Sequence, residues 1–361
     1  MQQHKNNFNF IRLLGAILVM TGHMGVILGG PVPSLGSQSL HQIGVEILFI
    51  MGGYLIASSW IKDPHPGRFF LKRFLRLYPP FAVMILLLCF IGGPILSELG
   101  VRGYYGSWWK PWLNNLRFYP VFAQPGVFLN NPLPLVSNGS IWTMPVEAFA
   151  YLMTPVLLFF CRKCGQKSFF PLGFFTALFF AADLFLIWKG NPVFLFYGTD
   201  WVSAFHLLVY FVIGMSCSME SVKTRFHLQL CPIFLFFILL TPEFGSAWFQ
   251  QAVWLCSLPY IVFSVALADE PVFWKLGRKT DLSYGIFLYG FFFQQLVEQW
   301  NITYSLAWNY MSCLAASMLL TVLTAWLNCV LIENPVLRLS RKLTSITRDD
   351  KNDRQMTDAD K

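Results

Sequence analysis

In FIRLLGAILVMTGHMG, residues 10–25, Arg12 and His23 are the only ionisable residues, eleven positions apart in an otherwise apolar stretch. An ionisable group in such a segment costs a few kcal/mol to insert into a membrane, so both are candidates for function. Eleven residues at about 100° each close about three turns, which puts both side chains on one helix face, about 16 Å apart along the axis. The stripe carries a permanent cation near one end and a titratable base near the other.

A carboxylate appears in SNGSIWTMPVEAFAYL, residues 137–152. Glu147 falls about six residues inside its apolar run, and His23 about six residues from the matching end of the first. A Glu and a His at one depth form an acid–base pair in which the carboxylate fixes the imidazole tautomer and raises its basicity. Asp183, His206, Gln294 and Gln295 map to the same half of their segments. They either bond one helix to another or, in the case of Asp183 and His206 together with Trp142, contact a substrate.

Arg68, Lys72, Arg73 and Arg76 crowd GRFFLKRFLRLYPPF, residues 67–81, where Pro79 and Pro80 are expected to reset the chain before a helix. Such a cluster suits an anionic lipid headgroup, a topology signal or a phosphorylated ligand. Cations therefore gather toward one membrane face and acid–base groups toward the other. An enzyme drawing a phosphorylated donor from inside and reacting it near the outer face needs this layout. No metal-ligand spacing appears, so no metal is expected.

The elements that must position these residues are membrane helices. Of 361 residues, 55% are hydrophobic and only 12% charged, with 37 Phe and 13 Trp. Soluble domains carry about 25% charged residues. A core of roughly 30 Å needs about 20 apolar residues in a helix. The runs 8–29, 43–60, 81–96, 141–160, 169–188, 201–217, 228–240, 247–268, 282–296 and 306–332 predict an all-α, polytopic transmembrane bundle of about ten helices. With the N-terminus cytoplasmic, 21 of the 26 basic residues fall in inside segments and four in outside ones, which places both termini in the cytoplasm. The net charge of +8 is thus a topology signal, and no nucleic-acid partner is expected.

Residues 1–338 read as the transmembrane domain and 339–361 as a polar, disordered tail. The 98–140 loop, with GYYGSWWKPWLNN, suits a membrane-interface segment or stacking on a sugar face. Cys161 and Cys164 form one C-x-x-C without a second pair, and read as apolar fillers. The first apolar run is long enough to span and no small-residue cleavage site follows it. No internal repeat is evident.

These motifs resemble those of the acyltransferase 3 family of integral membrane O-acyltransferases. Arg12 and His23 match its R-x10-H signature. GVEILFIMGGYL (Gly44–Leu55) resembles its G-V-[DE]-x-F-F block, Arg73, Arg76 and Pro79 its R-x-x-R-x-x-P block, and WTMPVE (Trp142–Glu147) its W-[ST]-[LM]-x-V-E block. LSYGIFLYG and ENP follow in family order. Gly52, Leu48 and Gly290 depart from the pattern, the last replacing a His, and no fused hydrolase-like domain follows.

The resemblance implies transfer of an acyl group, usually acetyl, from cytoplasmic acyl-CoA to a hydroxyl of a surface glycan or its lipid-linked precursor at a bacterial cytoplasmic (inner) membrane. Acyl-CoA would be a donor substrate, with no permanently bound cofactor. Arg12, Arg73 and Arg76 would hold the CoA phosphates. His23 would be the general base or transient acyl carrier, supported by Glu147. Two alternatives stay open: a transporter with a buried Arg/His/Glu pathway, and an acyltransferase acting on a small cytoplasmic or lipid acceptor. A transporter commonly shows repeated halves.

Overall fold

The computed structural model describes residues 6–163, 170–219, 225–277 and 280–344, and is mostly helical. Among the described residues the bundle includes α1 (Phe8–Ile27), α2 (Leu40–Lys62), α3 (Pro66–Leu87), α4 (Met144–Lys163), α5 (Phe170–Trp188), α6 (Trp201–Cys217), α7 (Cys231–Leu239), α8 (Ala247–Ala266), α9 (Ser283–Thr303) and α10 (Tyr310–Asn328). Six helical stretches, those of α1, α2, α3, α4, α8 and α10, are long and apolar enough to cross a membrane, and α5, α6 and α7 belong to shorter apolar helices. In α9 the apolar run is broken by Gln294, Gln295 and Glu298, all buried.

Boundaries shift where hydropathy alone was the guide. The third helix begins at Pro66, not near 81, so the basic cluster is itself helical. Pro66 suits a first helical position, and His65 Nδ1 accepts from the Arg68 amide at 3.3 Å. Pro79 and Pro80 lie inside α3. Each removes a helical donor, and Tyr284 Oη donates to the Leu77 carbonyl at 2.7 Å in the same stretch.

Beyond α10 a π turn, Cys329–Glu333, leads into a further helix over residues 334–344. That helix enters the stretch read as tail; 345–361 lie outside the described residues, as does Cys164 of the C-x-x-C.

The 98–140 segment packs into the bundle. α3 continues as a π turn at Leu88–Gly92. Gln124 Nε2 donates to the Leu88 carbonyl at 3.0 Å, Tyr104 Oη to that of Cys89 at 3.0 Å, and Trp112 Nε1 to that of Ile85 at 3.1 Å. Tyr104 and Trp112 are buried, so these aromatics satisfy α3's backbone rather than face a sugar.

Two units repeat element for element, although the sequence shows no repeat. α1 is joined to α2 by a hairpin, β1 (Ser34–Leu35) to β2 (Gln38–Ser39), and α5 to α6 by β3 (Leu195–Phe196) to β4 (Thr199–Asp200). All four strands and both following helix starts share one offset of 161 residues. Equivalent backbone bonds recur, with Leu40 N on the Pro33 carbonyl at 2.9 Å and Trp201 N on that of Phe194 at 2.8 Å. Gly29 and Gly190 both take positive φ.

An added Cβ at Gly53 would lie 1.9 Å from the Phe211 carbonyl oxygen, and one at Gly214 would lie 2.1 Å from that of Ile50. Gly53 and Gly214 are equivalent positions, as are Ile50 and Phe211. Reciprocal contact of equivalent residues is what a two-fold axis between α2 and α6 produces. Only glycine permits so close a crossing.

Candidate active site

A cavity of about 610 Å³ opens among α1, α2, α3, α4, α9 and the 334–344 helix. Five cationic side chains line it, Arg12, Lys72, Arg73, Arg76 and Arg341, against two carboxylates, Glu147 and Asp281. Arg12 is ion-paired with Asp281, and Arg76 Nη2 reaches the same carboxylate at 3.1 Å. Asp281 also accepts from the Ser283 hydroxyl at 2.6 Å. Burial pushes the Asp281 carboxyl up, but the two arginines and Ser283 outweigh it and hold the group below the usual aspartate range.

Arg73 is less occupied. Its Nη2 donates to Ser59 Oγ at 3.0 Å, while Nε has no partner among the described residues. Lys72 is engaged by Asp63 at 3.0 Å, as is Arg68. The cationic cluster of α3 therefore divides, with Arg73 and Arg76 turned inward and Arg68 bound to the preceding loop.

Behind the cations the wall is apolar, formed by Val45, Leu48, Phe49, Gly52, Leu55 and Ile56 of α2, with Phe211 and Phe287 opposite. Ile56 to Val45 spans about 16 Å of helix, and Val45 lies about one turn from His41. The His41 ring stacks on His23, centroids 5.1 Å apart, and Phe291 meets His23 edge-on at 5.1 Å. Gly22 allows this approach, since a Cβ there would lie 2.2 Å from the His41 amide nitrogen. Nδ1 of each imidazole is buried without a partner among the described residues. Gly290, where the resembling family has His, packs against Met20, and the second imidazole beside His23 comes from α2 instead.

The structure does not bring Glu147 to His23. Glu147 accepts a hydrogen bond from Tyr151 Oη, and both line the arginine cavity. Among the described residues no hydrogen bond or ion pair links Glu147 to His23. Matched depth misleads because the chain ahead of α4 is not at the surface. Ser137, Asn138 and Ser140 are buried, with Asn138 Nδ2 bonded to the Leu288 carbonyl at 2.8 Å. α4 thus starts inside the bundle, and its first turn carries Glu147 to the level of the arginines.

Asp183 and His206 do meet, joined by Glu46, which sequence reasoning passed over. His206 Nδ1 lies 3.0 Å from Asp183 Oδ2, and Nε2 lies 3.1 Å from Glu46 Oε1. Gln42 and Gln251 complete the cluster. The signal for Glu46 was a carboxylate in the apolar run of α2; His41 escaped because that run was drawn from 43. Asp281, the anion on which two arginines converge, lies one residue before the run drawn from 282. Trp142 packs half-buried on the α2–α6 core. Gln294 bonds the Met20 carbonyl of α1, an interhelical tie, while Gln295 bonds the Leu133 and Val136 carbonyls of the 98–140 segment.

The family model described as an acyltransferase domain matches residues 5–328. An O-acetyl transferase of Shigella phage Sf6 is 25% identical over 298 residues, 81% of this chain and 86% of that protein. Nodulation protein 10 of Rhizobium leguminosarum is 32% identical over 170 residues, 44% of this chain and 46% of that one. The peptidoglycan O-acetyltransferase OatA of Listeria monocytogenes is 29% identical over 189 residues, 46% of this chain and 28% of that protein. No solved structure matches.

Proposed function

The chain belongs to the family of acyltransferase domains, and from that premise we propose that it moves an acetyl group from cytoplasmic acetyl-CoA to a hydroxyl of a surface glycan or its lipid-linked precursor. In this reading about ten helices span a bacterial cytoplasmic membrane with both termini inside. One observation carries it: the same cavity is lined by cations and by an apolar wall running along α2 to within about one turn of the His23–His41 pair. The arginines suit the donor's phosphates, and the wall suits its pantetheine arm.

The chemistry follows from the residues at either end. His23 accepts the proton of the acceptor hydroxyl as that oxygen attacks the thioester carbonyl. The C–S bond breaks, and the departing CoA thiolate takes the proton back from His23, leaving an acetyl ester and free CoA. Asp183, His206 and Trp142 are assigned to the acceptor side.

Inside-out membrane vesicles supplied with radiolabelled acetyl-CoA test the reading. Label in lumenal glycan with stoichiometric CoA release supports it; solute flux without CoA release returns the function to transport. The α1–α2 and α5–α6 repeat removes one argument against a transporter, since transporters are also built from parallel repeats. The family match over residues 5–328 favours the enzyme.

Two substitutions separate the ends of the cavity. Arg73→Ala is expected to weaken donor binding by about tenfold to a hundredfold, because Arg73 is the inward cation with spare donors. Calorimetric titration with CoA reads this directly, and an unchanged Kd removes Arg73 from the donor site. Glu147→Gln keeps an acceptor for Tyr151 but removes the charge beside the arginines. Acetyl transfer is expected to fall by about tenfold to a hundredfold through misplacement of the donor. A near-normal rate reduces Glu147 to packing.

A further inference from the structure

The family match ends at residue 328, yet the donor cavity has a wall beyond it. Asn334, Leu337, Ser340, Arg341 and Thr344, all on the 334–344 helix, line it. The helix is set in place by the π turn before it. Asn328 Nδ2 donates to Glu333 Oε1 at 2.8 Å, and Glu333 is buried. Ser340 and Thr344 are buried despite being polar, with Thr344 Oγ1 returned to the Ser340 carbonyl at 2.9 Å. One face of a polar segment is thus turned into the bundle, which a disordered tail would not do.

We propose that Arg341 is the clamp for the 3′-phosphomonoester of the CoA donor, a contact supplied from outside the family-matched domain. This rests on the donor reading above. The order of charges along the cavity assigns the phosphate. CoA carries its diphosphate next to the pantetheine arm and its phosphomonoester on the far side of the ribose. The diphosphate therefore falls to the part-buried cations, Arg12, Arg73 and Arg76. The outermost anion falls to the outermost cation. Arg341 is exposed, whereas the Arg12 side chain is only 17% exposed. Lys72 is committed to Asp63 at 3.0 Å, while Arg341 has no carboxylate partner among the described residues. A guanidinium suits a terminal phosphate because it can offer two parallel N–H donors.

The test is calorimetric titration of the full-length protein in lipid nanodiscs with CoA and with 3′-dephospho-CoA. Wild type, Arg341→Ala and Arg73→Ala are compared. Arg341→Ala is expected to weaken CoA binding by about tenfold and to leave 3′-dephospho-CoA binding where it was. Equal weakening of both ligands overturns the assignment to the phosphomonoester. No change with either ligand, while Arg73→Ala still weakens both, also overturns it and leaves Arg341 to an anionic lipid headgroup. If the wild type binds neither ligand, the donor reading itself fails, and this inference with it.

Discussion

His23→Ala is expected to lower acetyl transfer by about 10²- to 10⁴-fold, the span that a positioned general base contributes, and to leave the affinity for CoA unchanged. The two effects separate because Arg12, which lines the proposed donor cavity, lies about three helical turns from His23 along α1. His23 itself is held by rings, stacked on His41 and edge-on to Phe291. Its buried Nδ1 has no partner among the described residues. A histidine kept only for packing would show itself differently. Alanine there would open a void between α1 and α2, lowering the thermal midpoint and donor affinity together. Transfer from labelled acetyl-CoA, CoA titration and thermal unfolding of one purified variant distinguish the cases. Near-normal turnover removes His23 from the chemistry.

Apolar runs announced the helices because a spanning segment must be both long and apolar, and that much survives in a single sequence. Depth and azimuth do not survive in the same way. Glu147 was paired with His23 by counting from the end of an apolar run, and the count failed because Ser137 to Ser140 enter the bundle before α4 begins. Polar residues bonded inside a protein look like loop to a hydropathy scan. Arg12, Arg73 and Arg76 were legible as a group from charge and spacing, and they share one cavity. The counter-ion that Arg12 and Arg76 share was not, since Asp281 lies in a short polar stretch outside any helix.

The repeat was hidden for a related reason. What the two units share is backbone turns and close crossings, carried by a few glycines such as Gly29 with Gly190 and Gly53 with Gly214. Pro31 with Pro192 and Val32 with Val193 also match, but side chains at most other equivalent positions differ. Val45 corresponds to His206 and Gly22 to Asp183, so the Asp183–His206 pair of the second unit has no image in the first.

Asp281→Ala tests whether that single carboxylate organises the cavity. It binds both Arg12 and Arg76, and removing one member of a buried ion pair costs about 3–5 kcal/mol because the remaining charge is left unpaired. The Asp281 side chain is 21% exposed, which puts the expectation at the lower end, about 3 kcal/mol. The pH dependence has a definite sign. A carboxyl held below its unfolded range contributes stability that is complete above that range and is lost as pH falls through the folded value. The natural protein therefore loses this contribution progressively as pH falls below the ordinary aspartate range, and the variant lacks it at every pH.

On the proposed donor reading, the phosphates of CoA would supply the anion that the variant has lost. Because a ligand stabilises the state it binds, CoA should raise the thermal midpoint of Asp281→Ala more than that of the natural protein. Destabilisation without this larger rescue would mean that Arg12 and Arg76 brace the fold and do not meet the donor. Rescue by CoA but not by pantetheine would place the phosphates on those two arginines.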